Sequence, residues 1–474
     1  MTNQMLEDML EAEEAFCLLQ LELRANAPRE GLVKTYFDKC RSLASRNLRK
    51  NGRAPDSDGK SFYPYIQLIR LLKIQESKKF KDFIMRPGAD NLFVRSLNLS
   101  NVLGDYYGNF VDSLIASGKI NLKEQASSKG KCVELSDETG LLDGNMFLKF
   151  GEAGKLKDEV QIQNLLMESL RADEAMHPKK FFIPKAFPVR EYGGETFYPM
   201  EHVYGERLDK RIHRTLSNPP LVKSCLERVV DFLAWIHVNV LPVGDVNLDE
   251  VKEKYKKDRG QKIMTAFDKL GLEESKAAGV ADSLNLVLEE PYNSAPFVFY
   301  KDAQPRNWIV APNGAINALD FDIHGHDNPS LPEYDLVCLL ESIPKAFTKK
   351  GSTKFPLADD ERKDLIRLYG GCYSQYSGKS FRTPEESRRV YLNLSIERAL
   401  LMARTFDLNE GIERDKSRWN GMVMSHVTNA IFNTDLIKTE YPRGYSRFGE
   451  QYERLKGGLL EIRGRVCALK VHRQ

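Results

Sequence analysis

The sequence predicts an α+β protein. Residues 1–122 are expected to be helical, residues 123–204 to form a small antiparallel sheet with one helix, and residues 205–474 to be mainly helical with a hairpin at 297–322. Three observations predict this. Met5, Met9, Ala12, Phe16, Leu19 and Leu23 recur at alternating spacings of four and three, which is one face of a helix. From Lys131 the texture changes to short β-prone runs separated by polar, glycine-containing turns. Beyond Gly205 long amphipathic stretches return.

Taken in order, Leu32 to Leu48 is a second helical stretch, and the polar run from Lys50 to Lys60, with Gly52, Pro55 and Gly59, reads as a loop. Phe62 to Leu72 and Tyr106 to Ile115 are further helix candidates. No chemistry is visible in this region, which reads as a helical cap or a module for a protein partner. Lys131 to Leu135 and Met146 to Phe150 are strands, and Leu156 to Leu170 is a helix. Phe181 to Val189 and Thr196 to Val203 are strands around a turn at Gly193-Gly194. Leu221 to Val240, Ala358 to Leu368, Pro384 to Phe406 and Gly444 to Val471 carry helical periodicity.

At 474 residues the chain is long enough for two or three domains. Its formal net charge of +3 gives no global signal for nucleic acid or a membrane surface. The seven cysteines are scattered and never in Cys-x-x-Cys spacing, which argues against a zinc site and a disulfide framework. The acidic start MTNQMLEDMLEAEEAF is unlike a signal peptide, and no run of about 18 apolar residues is present. A cytoplasmic protein with no nucleic-acid or membrane partner is the expectation.

The segment from Phe299 to Leu340 carries the most chemistry. Asp302 is followed five positions later by Asn307. Then come the apolar strand Trp308 to Val310, a turn at Pro312-Asn313-Gly314, and a second apolar strand ending at Asp320. Asp335 follows, ahead of an apolar helical run. Phosphoryl transfer needs these groups: one carboxylate to orient or deprotonate a hydroxyl, and an amide oxygen and a second carboxylate to hold divalent metal on nucleotide phosphates. A strand-turn-strand unit brings Asn307 and Asp320 to one end of two adjacent strands. The bland alternative is an ordinary hairpin with polar loop residues.

The stretches Tyr300-Lys301-Asp302-Ala303-Gln304-Pro305-Arg306-Asn307, Leu319-Asp320-Phe321-Asp322 and Asp335-Leu336-Val337 resemble the catalytic region of the aminoglycoside phosphotransferase and choline kinase group. That group's pattern is His-Gly-Asp-x-His-x-x-Asn, an Ile-Asp-x-Asp/Glu strand, then Asp-Leu-Ala. The resemblance spans roughly residues 127–470 and implies a bilobal protein-kinase-like fold. Its N-lobe would be a small antiparallel sheet and its C-lobe mainly helical, with the N-terminal helices as an addition. It implies an ATP-dependent transfer to a hydroxyl of a sugar, amino alcohol or aminoglycoside-like small molecule, with GTP as an alternative donor and Mg²⁺ as the metal. Asp302 would be the catalytic base, Asn307 and Asp320 metal ligands assisted by Asp322, and Asp335 a buried structural carboxylate. Tyr300, Lys301 and Gln304 depart from the pattern and put the acceptor's identity in doubt more than the reaction type.

By the same resemblance Lys149, a charge inside the apolar strand Phe147-Leu148-Lys149-Phe150, would contact nucleotide phosphates. Its partner would be Glu159, with Glu152 and Asp158 as alternatives. Met200-Glu201-His202-Val203-Tyr204-Gly205 resembles the hinge that pairs with adenine, which assigns the Glu201 carbonyl and the Val203 amide. Ser128 and Gly130, expected just before the first sheet strand, would cover phosphates through backbone N–H groups. Lys301 would neutralise an anionic acceptor or the transferring phosphate. His237 reads as a satisfied core histidine, and His324 and His326 as a loop pair. Two rivals remain. A nucleotide-binding pseudokinase is one. The other is a protein kinase, which the lack of His-Arg-Asp, Asp-Phe-Gly and Ala-Pro-Glu disfavours.

Overall fold

A computed structural model describes residues 11, 14–16, 18, 19, 22, 29–51, 120–125, 132–137, 146–176, 181–192, 195–201, 203, 205–239, 247–293, 296–299, 302–311, 314–321, 329–343, 346, 347, 353, 354, 357–406 and 414–471. They fall into two compact units, residues 1–206 with 309–319, and residues 207–308 with 320–474. The α+β class read from the sequence is what these units contain. The helix expected over Leu32 to Leu48 is present as Glu30–Asn51. The helix candidates Phe62 to Leu72 and Tyr106 to Ile115 lie outside the described residues.

The first unit holds a five-stranded antiparallel sheet of β1 (Ile120–Gln125), β2 (Cys132–Asp137), β3 (Met146–Phe150), β5 (Arg190–Tyr192) and β6 (Glu195–Glu201), in the order β1-β2-β3-β6-β5. β1 corrects the sequence reading, which ran the helical region on to residue 122. INLKEQ has two apolar residues and four polar ones, and strands disfavour Asn121, Lys123 and Glu124, so propensity hides it. Its pairing with β2, from Ile120 opposite Asp137 to Gln125 opposite Cys132, supplies the order that composition does not. The segment holding Ser128 and Gly130 therefore joins two antiparallel strands rather than preceding the first one.

Helix Ala153–Met176 packs on this sheet through Leu156, with Ala186 and Tyr198 beneath it and Val160, Val189 and Met200 around them. Asn164 fixes the docking by bonding both backbone groups of one residue: its Nδ2 donates to the Ala186 carbonyl at 2.8 Å and its Oδ1 accepts from the Ala186 N–H at 3.0 Å. Gln163 Nε2 adds a buried bond to the Pro184 carbonyl at 2.6 Å. A second small sheet places β4 (Phe181–Phe182) beside strand Ile316–Ala318, in parallel, with strand Trp308–Val310 next. Of the turn expected at Pro312-Asn313-Gly314, Gly314 is described: its N–H bonds the Ala311 carbonyl at 2.9 Å, and the Ala311 N–H bonds the Ala315 carbonyl at 2.8 Å. Residues 309–319 group with the first unit rather than with the helical one, where the sequence reading placed the hairpin.

Gly205 ends the β6 connection with φ +149°, where a Cβ would lie 2.5 Å from the Val310 carbonyl oxygen and 2.6 Å from Ile309 Cγ2. Backbone is a neighbour that cannot swing aside. Gly205→Ala is expected to lower stability by about 1–3 kcal/mol through steric and backbone strain. A melting temperature equal to the parent's would contradict that reading of the contact.

The second unit is built around helix Pro384–Ala403, capped by Thr383 and Glu386 in a reciprocal box with Pro384 at its first position. This helix is buried on all sides from Val390 to Leu400. Its buried polar side chains meet internal partners: Arg388 with Asp359 at 2.6 Å, Asn393 with the Tyr452 hydroxyl at 3.0 Å, Ser395 with Asn433 at 2.7 Å and Glu397 with Arg259 at 2.5 Å. Around it lie helices Leu248–Lys269, Glu274–Asn293, Glu333–Glu341 and Arg414–Glu440, and helix Pro219–Asn239 packs on Asp359–Ser377. Among the described residues no helix is long and apolar enough to cross a membrane.

Candidate active site

The residues from Asp302 to Asn307 form a turn held by several backbone-directed bonds. Pro305 opens a single 3₁₀ turn, Pro305–Asn307, whose N–H at Asn307 bonds the Gln304 carbonyl at 2.8 Å. The Asn307 side chain, buried at 5% exposure, closes the turn again by donating from Nδ2 to the Asp302 carbonyl at 2.7 Å. The Ala303 N–H is taken by Asp335 Oδ1 at 3.1 Å, and the Ala303 carbonyl by Trp308 Nε1 at 3.1 Å. Trp308 is fully buried and meets the Phe232 ring edge-on at 5.9 Å, so the turn is tied to helix Pro219–Asn239 by packing as well.

Asp335 is the buried structural carboxylate that the sequence expects, at 2% exposure. Its Oδ2 lies 2.9 Å from His237 Nε2, and His237 Nδ1 lies 2.7 Å from the Tyr369 hydroxyl. A carboxylate only accepts, so Nε2 carries a hydrogen, which leaves Nδ1 to accept from the tyrosine. Burial, together with the Glu333 charge, pushes the Tyr369 phenol well above its ordinary value and keeps it a donor. His237 is the satisfied core histidine that the sequence suggests, and it also links helix Asp359–Ser377 through Asp335 to the 302–307 turn.

The Asp302 carboxylate is held from two directions. Gln304 Nε2 donates to both of its oxygens at 2.9 Å. Arg398, from the central helix, places Nη2 at 3.6 Å from Oδ1, with side-chain exposures of 8% for the arginine and 19% for the aspartate. Arg398 is itself set against Tyr334, with its guanidinium 5.8 Å from the ring and Nη1 at 3.5 Å from the hydroxyl. Neither role was visible in the sequence. Gln304 registered there only as a departure from a motif. Arg398 sits in an apolar helical run, where the charges of Glu397 and Arg398 between Ile396 and Leu400 are the one signal of buried, partnered groups.

Asp320 has φ +58° and is the one non-glycine residue with positive φ among those described. This conformation is uncommon for side-chain-bearing residues and is tolerated best by Asp and Asn; it concentrates at functional sites. Asn307 has committed its amide nitrogen to the Asp302 carbonyl, so its remaining polar atom is the oxygen. An amide oxygen with a carboxylate is a hard, oxygen-only donor set, which fits Mg²⁺ rather than a softer metal. Among the described residues no group of three or more His, Cys, Asp or Glu gathers as a metal site. Asp322, His324 and His326 lie outside those residues, as do Tyr300 and Lys301.

In the first unit, Lys149 Nζ meets Glu159 Oε1 at 2.5 Å, with side-chain exposures of 17% and 5%. The lysine sits on β3 opposite Tyr198 of β6 and Cys132 of β2. Of the three candidate partners Glu159 is the one that bonds it, while Glu152 is exposed and pairs with Lys155 at 2.8 Å. Glu201 is the last residue of β6, opposite Met146, and Val203 follows half-buried. Ser128 and Gly130 lie outside the described residues.

No family model matches the chain, and no curated protein matches it. Solved structures similar to it include the ADP-bound aminoglycoside phosphotransferase APH(2'')-Ib, at 14% identity over 67% of this chain and 97% of that one, with a TM-score of 0.36. Another is the streptomycin-ATP-APH(2'')-IIa ternary complex, at 14% identity over 69% and 96%, with a TM-score of 0.35. The microcompartment-associated aminopropanol kinase is 13% identical over 70% and 98%, with a TM-score of 0.42.

Proposed function

We propose that this chain is a phosphotransferase that moves the γ-phosphate of ATP to a hydroxyl of a small molecule. One observation carries the reading. Asp302 is the one carboxylate of the 302–307 turn, and that turn is pinned through Asn307, Asp335 and Trp308 so that its position does not depend on a bound substrate. Preorganisation of this kind suits a reaction in which the protein contributes positioning and electrostatics.

In this reading Asp302 accepts the proton of the acceptor hydroxyl as its oxygen bonds to the γ-phosphorus and the bond to the bridging oxygen breaks. Gln304 keeps the plane of the carboxylate fixed while that proton arrives. Asn307, through its amide oxygen, and Asp320 would hold Mg²⁺, with Asp322 as a further ligand. The chemistry such an ion supplies is neutralisation of the phosphate charge. Lys149, oriented by Glu159, binds nucleotide phosphates. The backbone at Glu201 and Val203 binds the adenine edge, and the segment with Ser128 and Gly130 covers the phosphates.

The test is ADP release from ATP and Mg²⁺ across a panel of sugars, amino alcohols, hydroxy acids and aminoglycosides. Acceptor-dependent release is the expected result. A nucleotide-induced thermal shift without transfer to any acceptor would favour the pseudokinase reading instead, and incorporation of phosphate into polypeptide would favour a protein kinase.

A further inference from the structure

We infer that the acceptor carries a second hydrogen-bond donor on the carbon next to its reactive hydroxyl, as a vicinal diol or a vicinal primary amine does, and that Gln304 Oε1 receives it. The inference rests on the phosphotransferase reading with Asp302 as base.

Pro305 sets the geometry. A proline denies the residue before it the helical region, and Gln304 has φ −57° and ψ 145°. The Gln304 carbonyl is taken by the Asn307 N–H at 2.8 Å, so the backbone that carries this side chain is fixed by covalent geometry and by a hydrogen bond. The side chain turns back over its own turn, buried at 5% exposure, and Nε2 donates to both oxygens of Asp302 at 2.9 Å. A carboxylate accepts and does not donate, so the nitrogen is the end of the amide that faces it and the oxygen is the end left over.

That oxygen has no partner within the fold. Among the described residues none donates to Gln304 Oε1, and the atom is not sealed from the surface. Other polar atoms of this unit that lack a hydrogen bond among the described residues, such as Glu397 Oε2 and Asn433 Oδ1, are closed off. The second amide of the turn is spoken for: Asn307 gives its nitrogen to the Asp302 carbonyl, and its oxygen is a metal ligand in the mechanism proposed above. Gln304 Oε1 is the polar atom beside the base to which that mechanism gives no task.

Oε1 and Nε2 share one carbon, so an acceptor whose hydroxyl reaches Asp302 passes Oε1 within a few ångströms. An amide oxygen only accepts. The reactive hydroxyl has one proton, which goes to Asp302, so the donor for Oε1 is another group of the acceptor. A donor on the adjacent carbon can meet Oε1 while the hydroxyl stays on the carboxylate. An acceptor without one covers Oε1 and leaves it unpaired, which is how a polar site rejects an analogue that lacks a donor.

The experiment uses two pairs of acceptors, each matched in charge. Glycerol is set against propane-1,3-diol, which lacks the middle hydroxyl, and ethanolamine against choline, which keeps the cation but has no N–H. kcat and KM for ADP release are measured with the parent, Gln304→Leu, Gln304→Glu and Asp302→Asn. The expected result is a preference in kcat/KM of about 5- to 100-fold for glycerol over propane-1,3-diol or for ethanolamine over choline, the size of one hydrogen bond left unmade. The pair that shows it tells a diol from an amino alcohol. Gln304→Leu removes both contacts, so kcat should fall and the preference should vanish. Gln304→Glu keeps an oxygen toward the acceptor but sets a second carboxylate against Asp302, so kcat should fall with the preference retained. Thermal unfolding reports that each variant is folded, and Gln304→Met, closer in length, replaces Gln304→Leu where that variant is not.

Equal use of both members of each pair, a preference for propane-1,3-diol or choline, or a preference that survives in Gln304→Leu would overturn the inference. The phosphotransferase reading would stand in each case, with Asp302→Asn lowering kcat. A nucleotide-induced thermal shift of the parent with no transfer to any of the four would overturn the inference as well. Transfer undiminished in Asp302→Asn, or neither transfer nor thermal shift, would overturn the reading beneath it.

Discussion

Asp302→Asn is expected to lower kcat by on the order of 10²–10⁴-fold, the span that a positioned general base contributes. Nucleotide affinity should stay near the parent's. The structure gives reasons to expect a folded variant. The bonds described above that pin the 302–307 turn involve the Asp302 carbonyl, the N–H and carbonyl of Ala303 and the Gln304 carbonyl, and they do not use the Asp302 carboxylate. An asparagine retains one oxygen for Gln304 Nε2, so the two contacts at 2.9 Å become one. That exchange costs about 0.5–1.5 kcal/mol. The larger penalty is the charge removed beside Arg398. At 3.6 Å, with the aspartate side chain 19% exposed, it stays below the roughly 3–5 kcal/mol of breaking a tight buried pair. The measurement is kcat for acceptor-dependent ADP release beside the nucleotide-induced thermal shift. Turnover within a few-fold of the parent would remove Asp302 from the chemistry.

The difference between what the sequence disclosed and what it hid follows from sequence separation. Asp302, Asn307 and Asp320 are close in the chain, so a linear reading can single them out together as candidates. Lys149 and its carboxylate were singled out through the resemblance, which left Glu159, Glu152 and Asp158 as candidates. The register that selects Glu159 over Glu152 and Asp158 belongs to the packing of helix Ala153–Met176 on the sheet. Arg398 was out of reach because its partner Asp302 lies far away in the chain, which no local pattern discloses. β1 was missed because its residues do not prefer a strand and are recruited into one by β2. The helices around Leu221 to Val240, Ala358 to Leu368, Pro384 to Phe406 and Gly444 to Val471 were legible, since their apolar periodicity is repeated over several turns, whereas Leu248–Lys269, Glu274–Asn293 and Arg414–Glu440 were not singled out.

The second large effect concerns Asp335, which joins two systems that the sequence presents separately. One oxygen holds the Ala303 N–H of the 302–307 turn, and the other holds His237 and through it Tyr369. Asp335→Ala removes the acceptor from two buried donors at once. At about 1–3 kcal/mol for each unsatisfied donor, the loss is roughly 2–6 kcal/mol. Asp335→Asn is the informative contrast. Its oxygen can continue to accept from Ala303, which keeps the turn in place, but its amide nitrogen then faces His237 Nε2. Two donors cannot share that contact, so the imidazole must move its hydrogen to Nδ1, and the Tyr369 hydroxyl, now an acceptor, must send its own hydrogen elsewhere. The cost shifts from the turn to the histidine side of the network. The expected order in thermal unfolding is therefore parent above Asp335→Asn above Asp335→Ala. Turnover should fall much further in the alanine variant than in the asparagine one, because only the alanine variant releases the turn that carries Asp302. Unfolding transitions and kcat measured on the same three proteins decide it. An alanine variant that melts and turns over like the parent would show that the 302–307 turn holds its place without this carboxylate.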